Sequence, residues 1–142
     1  MERYQHIIRA SFFGHTHDQY WGITMSVSNP GKPVQFSQIG PSGTPYTENN
    51  PAYALIDVDA ETMLPINWRI YAFDLATANE EGNVPEIFEM VNYSNDYLSG
   101  QGLSNDQVLD LTNRLATDSN LFWQIHWDKH RRVGPKTVGS DA

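Results

Sequence analysis

The sequence predicts an α+β fold, with strands in its first half and helices in its second. Three observations carry this. Apolar and polar residues alternate with a period of two over Tyr20 to Ser28 and again over Ile66 to Phe73. Strong turn signals, Asn29-Pro30-Gly31-Lys32-Pro33 and the Gly-, Pro- and Ser-rich stretch from Gly40 to Pro51, separate the apolar runs. After Phe73 the spacing becomes helical, and Ser104-Asn105-Asp106-Gln107 forms a capping box ahead of Val108, Leu111 and Leu115. The organisation that follows is a strand-built part over residues 1–73 and a helical part over 74–142.

Taken in order, residues 1–7 read as the end of a helix or a linker, and Ile8 to Phe13 as an apolar strand. From Tyr20, the residues Trp21, Ile23, Met25 and Val27 share one face of a half-buried strand. The Asn29 to Pro33 turn hands the chain to its hairpin partner, Val34 to Ile39. Tyr53 to Val58 and Ile66 to Phe73 make a second strand pair, and apolar bulk on both sides of the latter predicts a sheet between layers. Between them, Asp57-Val58-Asp59-Ala60-Glu61 superficially resembles a calcium loop. Thr62 stands where the sharp-turn glycine is needed and Trp68 where the bidentate glutamate is needed, so a hairpin turn is the reading. Asp74 to Asn79 is a short helix, and Ile87 to Tyr93 fits either helix or strand. Asp118 caps a last helix whose Leu121, Phe122 and Ile125 form an apolar stripe, packed as a helical hairpin on the one before. From Val133 onward the chain reads as frayed.

Composition narrows the function classes. With 142 residues, 39% of them hydrophobic and 12% aromatic, the chain can bury a modest core and is not a disordered segment. A net charge of −8 argues against a nucleic-acid backbone as partner, because phosphates call for a basic surface. Only Lys129-His130-Arg131-Arg132, with Lys136, is locally basic, which suits a helix C-terminus. No apolar run approaches the ~20 residues of a membrane span, and residues 1–25 lack the order of a signal peptide. The absence of cysteine is compatible with a reducing compartment or with a secreted segment without bridges. Asn92-Tyr93-Ser94 has the form of a glycosylation acceptor.

Gly14-His15-Thr16-His17 at the end of the first strand is the feature with most chemistry in it. In an extended segment two residues apart means one face, so His15 and His17 can aim at one metal ion, with Asp18 able to orient one imidazole from behind. The alternative is a pair of histidines in an ordinary strand-to-loop turn. Two ligands do not complete a zinc site, which takes three or four, nor a two-metal phosphoester site, so further ligands belong elsewhere. A rival pair, His126 and His130, lies one helical turn apart with Asp128 nearby. Trp127 occupies the place of the general base in the zinc-protease motif, which leaves a surface zinc site or a polar helix face beside an aromatic stripe.

The ordered set Phe12-Phe13-Gly14-His15-Thr16-His17, Gly40-Pro41-Ser42-Gly43-Thr44-Pro45-Tyr46, Asn50-Pro51-Ala52-Tyr53, Tyr71-Ala72-Phe73-Asp74-Leu75-Ala76-Thr77-Ala78-Asn79 and Leu121-Phe122-Trp123 resembles the C-terminal part of acid sphingomyelinase-like phosphodiesterases, members of the calcineurin-like metallophosphoesterases. The likeness runs along nearly the whole chain. It implies that residues 1–73 are the last strands of an α/β/β/α metallophosphoesterase sandwich and 74–142 a C-terminal helical subdomain. It further implies a hydrolase with two zinc ions that cleaves sphingomyelin or a related phosphodiester lipid, giving ceramide and phosphocholine from sphingomyelin, with access to a membrane surface and an extracellular or lysosomal location. His15 and His17 would serve different metals, no general acid would come from this chain, and Tyr46 would face a quaternary ammonium headgroup through its ring. The family's earlier half, with the remaining metal ligands, and its C-terminal cysteines have no counterpart in this sequence. Met1 is accordingly expected to be either internal to a longer protein or the start of a truncated product. A non-catalytic fragment or interaction module is the competing class.

Overall fold

The computed structural model describes residues 1–45, 49–84, 86–100 and 102–126. Two three-stranded sheets and four short helices make up the described chain, an α+β arrangement as the sequence predicts. The first sheet contains β1 (Ala10–Phe13), β2 (Tyr20–Met25) and β3 (Pro33–Ile39), in the order β1-β3-β2. β2 and β3 are the expected hairpin, Tyr20 opposite Ile39 and Ile23 opposite Phe36. At its turn Ser26 N–H donates to the Lys32 carbonyl at 2.8 Å, and Gly31 takes a φ of 90°, which a side chain would oppose. The first strand begins at Ala10 rather than Ile8, because Ile8 N–H is drawn into a turn with the Tyr4 carbonyl at 2.8 Å. It pairs with β3 in parallel, Ala10 opposite Phe36 and Phe13 opposite Ile39.

The expected apolar face of the second strand survives only in part. Trp21 and Ile23 pack on the core, whereas Met25 and Val27 are exposed. The register shifts between Thr24 and Met25, and Ser26 turns inward instead. There Ser26 and Ser28 Oγ donate to the Glu2 carboxylate, and Val27 N–H adds a third bond at 2.9 Å. These bonds, the Ser26 hydroxyl foremost, hold the Glu2 carboxyl down at about 2. The carboxylate thereby fastens the opening 3-10 turn, Glu2–Tyr4, to the β2–β3 hairpin.

The second sheet contains β4 (Ala52–Val58), β5 (Pro65–Phe73) and β6 (Ile87–Asn92), all antiparallel with β5 in the middle. β4 and β5 pair as predicted, Tyr53 opposite Tyr71. Their turn is closed by Asp59, whose Oδ1 accepts from Thr62 N at 2.7 Å and Thr62 Oγ1 at 2.6 Å, so this carboxylate is consumed by the turn rather than open to calcium. On the inner face of β5, Trp68, Ile70 and Ala72 are buried. On the outer face Asp57 pairs with Arg69 at 2.6 Å, and Tyr71 Oη donates to Glu89 at 2.6 Å while lying stacked on Tyr53. Tyr53, Leu55 and Ile87 are exposed there, so among the described residues no second layer covers that face.

Four helices complete the described residues: α1 (Leu75–Glu81), α2 (Tyr93–Tyr97), α3 (Asn105–Leu115) and α4 (Ser119–Trp123). Each begins on the capping residue expected of its type. Asp74 accepts from Thr77 N at 3.0 Å, Ser104 and Gln107 form the reciprocal capping box, and Asp118 accepts from Leu121 N at 3.0 Å. Gly82 ends α1 in the left-handed conformation. The stretch over 87–93 resolves into a strand followed by a cap: Asn92 Oδ1 accepts from Asn95 N and from Asn67 Nδ2, and Ser94 is buried. The acceptor triplet Asn92-Tyr93-Ser94 is thus built into the fold.

The core lies where the inner faces meet α2 and α3. Tyr93 stacks on Trp68 with ring centroids 4.3 Å apart, and Trp21 meets both rings edge-on. Trp21 Nε1 donates to Thr112 Oγ1 at 2.9 Å, tying the first sheet to α3. Val108 and Leu111 of α3, with Ile125 beyond α4, close the cluster. Burial raises the Tyr93 phenol well above its ordinary range. No helix among the described residues is long and apolar enough to cross a membrane.

Candidate metal centre

β1 ends at Phe13, and the ladder takes one more step, Gly40 N–H donating to the Phe13 carbonyl at 2.8 Å. Gly14 follows with open space around its α-carbon. The chain then leaves the extended conformation. His15 has a φ of 88° and His17 a φ of 69°, so the alternation that would put both imidazoles on one face of a strand does not apply. Two non-glycine residues in the left-handed region cost about 1–2 kcal/mol each, a strain that surrounding contacts must hold in place and that clusters at functional sites. His15 is exposed and His17 half-buried. Both sit just past the carboxyl end of a parallel strand pair, the edge at which open α/β sheets usually bind ligands.

The segment is braced from the side. Gln19, next in line, is fully buried. Asp18, expected behind an imidazole, instead accepts from Asn49 Nδ2 at 2.8 Å, and Asn49 is buried. Asn49 belongs to the loop between β3 and β4, whose ends are tied down by Ala52 N–H on the Ser42 carbonyl at 2.9 Å and Leu75 N–H on Asn50 Oδ1 at 3.2 Å. Through Asn49 that loop touches the histidine segment at Asp18. Tyr46 falls outside the described residues. Asn49 itself was not legible as a site residue, since an Asn-Asn-Pro stretch reads only as a loop.

Curated relatives give this geometry a context. Over 142 residues the chain is 27% identical to the sphingomyelin phosphodiesterase of Bos taurus, covering 95% of this chain and 22% of that protein. It is 28% identical to the Homo sapiens sphingomyelin phosphodiesterase, covering 94% of this chain and 21% of the relative. Sphingomyelin phosphodiesterase B of Dictyostelium discoideum is 34% identical over 103 residues, 68% of this chain and 16% of the relative. The chain matches a C-terminal part of the sphingomyelin phosphodiesterases. No family model matches it. The chain spans about a fifth of the length of the Bos taurus and Homo sapiens sphingomyelin phosphodiesterases.

For a chain related to sphingomyelin phosphodiesterases, the donor set can be tested against a metal. Neutral imidazoles are suitable zinc donors, and His15 and His17 stand two residues apart just past a strand end. Among the described residues no group of three His, Cys, Asp or Glu side chains converges, so His15 and His17 fit as part of a metal site and not as a whole one. The rival pair is half in view: His126 lies flat against Phe122 at 5.2 Å and edge-on to Trp123 at 6.4 Å, while Asp128 and His130 lie outside the described residues.

Proposed function

We propose that this chain contributes the His15–His17 corner of a zinc-dependent phosphodiesterase site acting on sphingomyelin or a related phosphodiester lipid. The observation that carries the reading is the pair of left-handed histidines held past the carboxyl end of β1, in a chain whose relatives are named for sphingomyelin hydrolysis. Bound zinc would supply Lewis acidity toward the phosphoryl oxygens and a nucleophile at neutral pH. The chain's own contribution is to present two imidazoles from a strained, braced segment and to border the opening with the loop over residues 41–53. In the same reading the remaining metal ligands and the general acid come from polypeptide beyond this chain, and Tyr46 meets the headgroup. Access to lipid at a membrane surface, in an extracellular or lysosomal setting, belongs to this proposal as well.

A second reading is a non-catalytic module. It is favoured by the exposed Phe12 and Phe13 side chains. The two readings part on one experiment. Replacing His15 and His17 together with alanine, in the longest native polypeptide that contains this sequence, should abolish zinc-dependent hydrolysis of sphingomyelin on the first reading. Undiminished hydrolysis by the double variant would leave the second standing.

A further inference from the structure

We propose that Asp18 and Asn49 form a positioning pair, which holds the His15–His17 segment in its metal-receiving conformation and couples it to the β3–β4 loop. This rests on the reading of His15 and His17 as metal ligands. Four observations converge on it. First, Asn49 Nδ2 donates to Asp18 Oδ1 at 2.8 Å across 31 positions of sequence, so the bond joins two loops rather than closing one. Second, Asn49 is only 4% exposed, and a buried amide that donates to a carboxylate makes a stronger, directionally fixed bond than a surface contact does. Third, Asp18 is adjacent to His17, and both histidines occupy backbone conformations that persist only where neighbours over-determine them. Fourth, Thr16 Oγ1 lies 3.4 Å from the Asp18 main-chain carbonyl, a local contact within the same segment.

The pair acts through geometry, not by touching the ion. Removing the carboxylate takes away the bond that joins the two loops, and the imidazoles then have more conformations to lose when an ion binds. Residues that orient metal ligands in this way typically change affinity by about 10–100-fold when lost.

The test titrates the longest native polypeptide that contains this sequence with zinc ion alone, following the ring nitrogens of the histidines by NMR and the thermal midpoint in parallel. Asp18→Ala and Asn49→Ala should each weaken zinc binding by about tenfold, and the double variant should bind no more weakly than either single one, because one bond is being removed. Asp18→Asn keeps an oxygen acceptor facing Asn49 and should recover most of the wild-type affinity, which keeps the test open where the alanine variant melts too early to titrate. Wild-type zinc affinity in Asp18→Ala and Asn49→Ala, with binding lost in His15→Ala and His17→Ala, would overturn the positioning role and leave the metal reading intact. Zinc binding unaffected by either histidine substitution would overturn both.

Discussion

The central strand of the second sheet and the edge strand of the first are held in opposite ways. In the second, β5 has a partner on each side, its inner side chains are fully buried, and its outer polar groups answer one another through the Asp57–Arg69 ion pair and the Tyr71–Glu89 bond. In the first, β1 is a four-residue edge strand in parallel pairing, with Phe12 and Phe13 exposed and two strained histidines just beyond. Parallel strands are normally covered on both faces. The difference teaches that stability is concentrated around β5 and α3, while the β1 end is kept open and strained where chemistry is proposed.

The sharpest way to break this comparison is at the aromatic centre. Trp68→Ala removes a 2% exposed ring stacked on Tyr93 and should cost about 3–5 kcal/mol in urea unfolding. A loss below about 1 kcal/mol would mean that the core is not organised around β5. Next in size is the capping box of α3: Ser104→Ala should lower stability by about 1 kcal/mol, and Ser104→Asn should recover most of it. At the open end the contrast predicts a far smaller effect. Phe13→Ser, at a side chain 56% exposed, should move unfolding by less than about 0.5 kcal/mol, and a larger loss would show that β1 is as integral as β5.

A pH series sharpens the same contrast at the start of the chain. The Glu2 carboxyl is depressed from 4.5 to about 2 by its bonds to Ser26, Ser28 and Val27, so its stabilising contribution is complete above pH 4.5 and is lost as pH falls toward 2. Thermal midpoints of the wild type should therefore fall more steeply over that window than those of Glu2→Gln. Parallel curves would show that the carboxylate is not held by the hairpin.

Much of the helical part was legible because its signals are local: Asp74, Ser104 with Gln107, and Asp118 cap helices within three or four residues of themselves. The β4–β5 hairpin was legible for the same reason, since alternation and turn lie next to each other. β6 was not, because Ile87-Phe88-Glu89-Met90-Val91 does not alternate cleanly and its pairing with β5 shifts register at Ile70/Tyr71. The parallel pairing of β1 with β3 is a tertiary choice that no local pattern encodes. At the candidate site the identity of the histidines was legible, but their left-handed backbone and the Asn49–Asp18 bond were not. The first depends on how the chain leaves β1, and the second joins residues 31 positions apart.

The central claim is that His15 and His17 receive one metal-bearing corner together. Ring-nitrogen NMR of the longest native polypeptide that contains this sequence, with zinc added stepwise, tests it most directly. Concerted shifts of His15 and His17, saturating together while His6 and His126 stay in place, are the predicted result. Zinc that leaves His15 and His17 unmoved, or perturbs all the histidines alike, would contradict it.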